Sequence, residues 1–177
     1  MKSVLSSMLA ALFFVVPVHA ASWQSELPQA KVVGSGDFHW FGLNIYSARL
    51  WSEQQPFKAS APFALELTYH RKINRQRLVK TSMDEIKRLS DKSLSAEKLQ
   101  RWESELARGF TDVASGDQLI GVFIPAQGCR FYNQKGLIAE IDDPELAQAF
   151  FNIWLDKRSK DNQLRAQLLG LTTGHSQ

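Results

Sequence analysis

Residues 37–51 read DFHWFGLNIYSARLW, a run dense in aromatic and branched side chains. Those residue types fit a pleated, half-buried surface. Phe41, Leu43 and Ile45 share one parity, and Phe38, Trp40, Tyr46 and Leu50 share the other. Apolar residues on both parities predict one long strand, central in its sheet and covered on both faces. Gly42 allows a bend or bulge within it.

Upstream, Gly34-Ser35-Gly36 reads as a turn, and residues 21–30 read as a loose leader. The first twenty residues carry Lys2, an apolar run from Met8 to Val18, and Val18-His19-Ala20. Charged start, apolar centre and small residues at the end are the order of a secretory signal peptide cleaved near Ala20. The run is too short to cross about 30 Å of hydrocarbon as a helix. The domain expectation is therefore a signal peptide at 1–20 and a single domain at 21–177, exported to the periplasm or secreted. No later segment is apolar enough to span a bilayer.

Downstream, Phe63, Leu65, Leu67 and Tyr69 alternate with Glu66, Thr68 and His70, which predicts a strand with one wet side. Residues 74–90 switch to a helical period. Ser82-Met83-Asp84-Glu85 can form a capping box, so this region reads as one kinked helix or two. Ser95 is placed to cap a helix over 96–108 whose apolar stripe is Leu99, Trp102, Leu106 and Phe110. Three short strands follow at 118–124, 129–133 and 137–141, the last two joined by a turn at Gly136. Asp143-Pro144-Glu145 is a helix start, with a capping carboxylate and proline at the first helical position. That helix, 144–156, carries Leu146, Phe150, Phe151, Ile153 and Trp154, and Asp161 can cap a last helix ending at Gly170. Strands joined by short turns, interrupted by helices, argue for an α+β fold with helices packed on an antiparallel sheet.

Composition narrows the function. The 177 residues carry a formal charge of +3 with both signs interspersed, which reads as a solvated surface and not a nucleic-acid footprint. Cys129 is the single cysteine, so no intramolecular disulfide can form. It reads as a small packing residue. His39, His70 and His175 show no metal-ligand spacing, and neither a metal nor a cofactor is expected. The 34–36 glycines form neither a nucleophile elbow nor a phosphate loop.

Ala149-Phe150-Phe151-Asn152-Ile153-Trp154-Leu155-Asp156, followed by Leu164-Arg165 and Leu168-Leu169-Gly170, resembles the bacterial chalcone-isomerase-like proteins. Val33 to Gly36, Tyr46 to Leu50, Leu65 to Tyr69, Gly116-Asp117, Gly128 to Tyr132 and Ile141 to Glu145 extend the resemblance over about residues 31–170. It implies an open-faced β-sandwich, an antiparallel sheet covered by helices with a ligand cleft between the layers. Plant relatives isomerise chalcones, and non-catalytic relatives bind fatty acids. The plant enzymes use an arginine and a threonine, neither of which is reproduced. Phe41 stands where the threonine is expected, and Lys31 is the only cation in the region before it.

His39, Tyr46, Arg49, Tyr69, Arg130 and Tyr132 are the polar residues set among aromatics on the predicted strands. They are the candidate ligand-binding residues, suited to an amphipathic acid or a phenol. Core tyrosines and rim salt-bridge arginines are the alternative reading of the same positions. No catalytic residue is assigned. Three functions follow: a periplasmic binding protein for a small hydrophobic or amphipathic ligand, a chalcone-isomerase-type isomerase, or an envelope interaction protein without a ligand. Binding needs shape and apolar walls, whereas catalysis needs the absent arginine and threonine, so the first is preferred.

Overall fold

The structure, a computed structural model, describes residues 22–171. The expected signal peptide at 1–20 lies outside the described residues, as does His175. Six strands form one antiparallel sheet in chain order: β1 (Lys31–Trp40), β2 (Leu43–Ser52), β3 (Phe63–Tyr69), β4 (Gln118–Ile124), β5 (Gly128–Asn133) and β6 (Gly136–Ile141). Four helices accompany it: α1 (Arg75–Leu89), α2 (Ala96–Gly109), α3 (Pro144–Leu155) and α4 (Asn162–Leu168). Among the described residues, no helix is long and apolar enough to cross a membrane.

The long strand expected over 37–51 is instead the hairpin β1–β2. Phe41 (φ 48°) and Gly42 (φ 76°) turn the chain between the paired Trp40 and Leu43. Positive φ at both central residues matches the twist of the flanking strands. A register shift follows: Phe38 opposes Tyr46 and His39 opposes Asn44, leaving Ile45 outside the ladder. Both parities are apolar because the tip residues Trp40, Phe41 and Leu43 face solvent, not because a second layer covers them.

Gly34 and Gly36 are not a turn but lie within β1. A Cβ on Gly34 would sit 2.0 Å from the Gln167 carbonyl oxygen, and one on Gly36 would sit 2.1 Å from the Gln167 side-chain oxygen. Bare backbone here lets α4 lie directly on the strand.

The helical face of the sheet holds the larger core. Phe63, Phe123, Phe131, Phe150, Phe151 and Trp154 meet there, mostly edge to face with centroids 5.0–5.7 Å apart. The opposite face is not wet along β3. Ala64 packs with Trp23, Leu27, Ile120, Val122 and Tyr132 in a second cluster. Residues 21–30 are therefore no loose leader from Ser22 onward: a 3-10 turn at Trp23–Ser25 brings two large apolar side chains onto the sheet. Burying them offsets the entropy of ordering the segment.

Helix boundaries follow local chemistry. α1 is one helix capped by Asn74, whose side chain accepts from Arg77 N at 2.8 Å; Ser82 lies in its interior and caps nothing. Ser95 caps α2, Asp161 caps α4, and Asp143 caps α3 through the amides of Glu145 and Leu146. Asp143 also accepts from Trp102 Nε1 at 2.9 Å, tying α2 to the start of α3.

Cys129 is buried, and desolvation, helped by the charges of Asp143 and Glu105, pushes its thiol up to about 12. The raised value favours the neutral thiol in the fold. Its contribution to stability is whole below the ordinary thiol range and is lost as pH rises towards 12. Native protein at pH ~8 is expected to leave Cys129 unmodified by a disulfide reagent such as dithionitrobenzoate, since the thiolate is the nucleophile. One equivalent should react in denaturant; rapid labelling of folded protein would contradict the buried placement.

Candidate functional site

A cavity of about 470 Å³ opens between the sheet and the helices α1, α3 and α4. That lies within the range of roughly 300–1,000 Å³ typical of small-molecule sites. Phe38, Tyr46, Leu67, Tyr69 and Leu119 form its sheet wall. Leu78 of α1, Phe150, Ile153 and Trp154 of α3, and Leu164 of α4 form the opposite wall. Trp40, Arg71, Lys72 and Arg77 stand where it opens, all exposed.

Tyr46 and Tyr69 oppose each other on β2 and β3, so the strand pairing sets two phenols side by side, ring centroids 5.9 Å apart. Phe38 stacks on Tyr46 at 5.0 Å from the neighbouring strand. Trp154 Nε1 donates to Tyr46 Oη at 2.9 Å. That bond occupies a lone pair of the phenol and leaves its own proton free to donate. Tyr69 makes no side-chain hydrogen bond to protein among the described residues. Burial, foremost, lifts both phenols above the ordinary tyrosine range, partly countered at Tyr46 by the Trp154 bond. Both are therefore neutral donors at physiological pH, aimed into an apolar space.

Charge is concentrated at the mouth. Residues 71–77 read RKINRQR, four cations with no acid among them. The Ile73–Val113 bridge and the His70 N to Ile45 O bond (2.9 Å) hold this segment beside the hairpin. None of the four cations forms an ion pair among the described residues. Two other lining cations are already engaged: the exposed Lys160 pairs with the buried Glu85, and Arg165 Nε donates to Leu155 O at 2.8 Å; Asp161 lines the same side. The cations that form no ion pair among the described residues thus stand at the opening, and the neutral donors Tyr46 and Tyr69 lie further inside.

Of the six sequence candidates, the structure gathers two, Tyr46 and Tyr69, at the cavity. Arg130 and Tyr132 project from the other face of the sheet. There Arg130 pairs with Glu26 at 2.6 Å and Tyr132 Oη donates to the same carboxylate at 2.8 Å. Arg49 pairs with Glu66 at 3.5 Å, away from the cavity. His39 is exposed on β1 and is not among the lining residues. The residues the sequence reading passed over are Trp154, read as core, and the rim cations. The acid-free run at 71–77 was the signal available for the latter.

The chain matches the family described as chalcone isomerase-like over residues 39–170. The chain belongs to the chalcone isomerase-like family. No curated protein sequence matches it. Among solved structures it is similar to the Arabidopsis thaliana fatty-acid binding protein AtFAP1, with a TM-score of 0.61 and 11% identity over 86% of this chain and 90% of that one. At that identity the likeness establishes the chalcone isomerase-like fold, an open antiparallel sheet covered by helices. Phe41, aligned by resemblance with the threonine of the plant chalcone isomerases, is 88% exposed at the hairpin turn and lines no part of the cavity.

Proposed function

We propose that this chain is an exported binding protein for one small amphipathic molecule, fatty-acid-like or phenolic. The observation that carries this reading is the apolar cavity holding two neutral tyrosine donors, with cations at its mouth that form no ion pair among the described residues. A hydrocarbon or aryl body fills the space between Leu67, Leu119 and Ile153, and an anionic or phenolic head accepts from Tyr46 and Tyr69. The fold shared with a fatty-acid binding protein supports the same reading. The apolar run before Ala20 supports export to the periplasm.

Tyr69→Phe is the cleaner test because it removes a hydroxyl that holds no protein partner among the described residues. Folding stability should stay within ~0.5 kcal/mol, as for substitutions that disturb no packing. Affinity for a long-chain carboxylate should fall about tenfold, the scale of one hydrogen bond to a charged group. The methyl ester of the same acid should lose less. Isothermal titration of wild type and variant measures both. Equal affinities for the acid would remove Tyr69 from the site.

A further inference from the structure

Trp40, Phe41 and Leu43 at the β1–β2 tip are 53%, 88% and 48% exposed. Three large apolar side chains at one turn form a concentrated patch, and such patches on soluble domains mark interaction sites. The positive φ of Phe41 holds the turn that presents its ring outward. Trp40 stands at the cavity mouth together with Arg71, Lys72 and Arg77. The patch therefore joins an apolar point to cations that form no ion pair among the described residues, on the side where the cavity opens.

We infer that this tip docks on an anionic lipid bilayer. Trp40, Phe41 and Leu43 enter the interface while the 71–77 cations face the phosphates. Tryptophan is favoured at the headgroup level, where one edge of the ring is wet and the other is not. Basic residues near an anionic surface add an attraction that falls off within a Debye length. A tip wedge of three side chains plus nearby cations supplies two signals, apolar insertion and electrostatic attraction, the combination that holds a peripheral protein on a membrane. Docking in this pose sets the mouth against the lipid, so an amphipathic molecule passes between bilayer and cavity without crossing water. That transfer rests on the ligand-binding reading; the docking itself does not.

The chain from Ala21 to Gln177, the product of the proposed cleavage near Ala20, serves for the test. It is mixed with phosphatidylethanolamine–phosphatidylglycerol vesicles or with pure phosphatidylcholine vesicles and sedimented. Binding to the anionic vesicles is expected, with loss on raising ionic strength about tenfold. Brominated lipid should quench emission from Trp40, the only exposed one of the five tryptophans. Phe41→Ser should weaken vesicle binding at least tenfold, whereas Leu137→Ser, on the opposite edge of the sheet, should not. Phe41 does not line the cavity, so carboxylate titration of Phe41→Ser in vesicle-free solution separates failure of docking from failure of ligand binding. No sedimentation with either vesicle overturns the inference, as does binding that Phe41→Ser leaves unchanged or that phosphatidylcholine matches. A dimer that Phe41→Ser converts to monomer, with vesicles ignored, assigns the tip to a second copy of this chain and equally overturns it.

Discussion

Gly34→Val is expected to destabilise the fold by more than ~3 kcal/mol and to abolish ligand binding, although valine is the better strand former. The new Cβ would stand 2.0 Å from the Gln167 carbonyl oxygen and 2.7 Å from that of Leu168. Both are backbone atoms and cannot rotate away, so α4 must lift from β1. Overpacking against movable side chains costs about 1–3 kcal/mol, and backbone against backbone costs more. Lifting α4 also carries away Leu164 and Arg165, two residues of the cavity wall. Ser35→Val, on the exposed neighbouring position, should cost little. Chemical denaturation of the two variants decides the matter: equal midpoints would mean that α4 does not depend on the bare backbone of β1.

Phe151→Ala should cost about 3–5 kcal/mol, the range for deleting a fully buried ring. Its ring meets Phe63 at 5.0 Å, Phe150 at 5.2 Å and Phe123 at 5.7 Å, each near edge to face. Those partners belong to β3, α3 and β4, so no single neighbour can collapse into the vacated volume. The melting temperature should fall by roughly 6–20 °C for a domain of this length. Binding of the carboxylate should survive in the fraction that stays folded, because Phe151 lines no part of the cavity. A stable Phe151→Ala would contradict the ring cluster as the anchor of α3 on the sheet.

What the sequence disclosed was mostly local. Ser95, Asp143 and Asp161 announce their helices because a cap needs only amides two or three residues away. The hairpin at Phe41-Gly42 was hidden because it lacks the Asn-Gly or Asp-Gly pair that usually signals such a turn. Gly34-Ser35-Gly36 looked like a turn because its purpose is the approach of α4, which begins at residue 162. Trp23 and Leu27 sit in a short segment with no period to read.

The site shows the same division. Alternation along β5 places Arg130 with Tyr132 and apart from Cys129 and Phe131, as a strand must. Which of those two faces meets the helices depends on the whole sheet, so the pair was assigned to the cleft and lies behind it. The Tyr46–Tyr69 pairing joins two strands separated by a loop, and only register brings the phenols together. Trp154 was legible as a core ring, but its bond to Tyr46 spans 108 residues of chain.

On the proposed function, the space between Tyr69 and Ile153 admits one amphipathic molecule. Titration of a long-chain carboxylate into the wild-type chain and into Ile153→Trp, whose larger side chain fills that space from α3, tests it directly. Saturable one-to-one binding by the wild type, lost in a folded Ile153→Trp, is the predicted result. Absence of binding by the wild type, or equal binding by both, would contradict it.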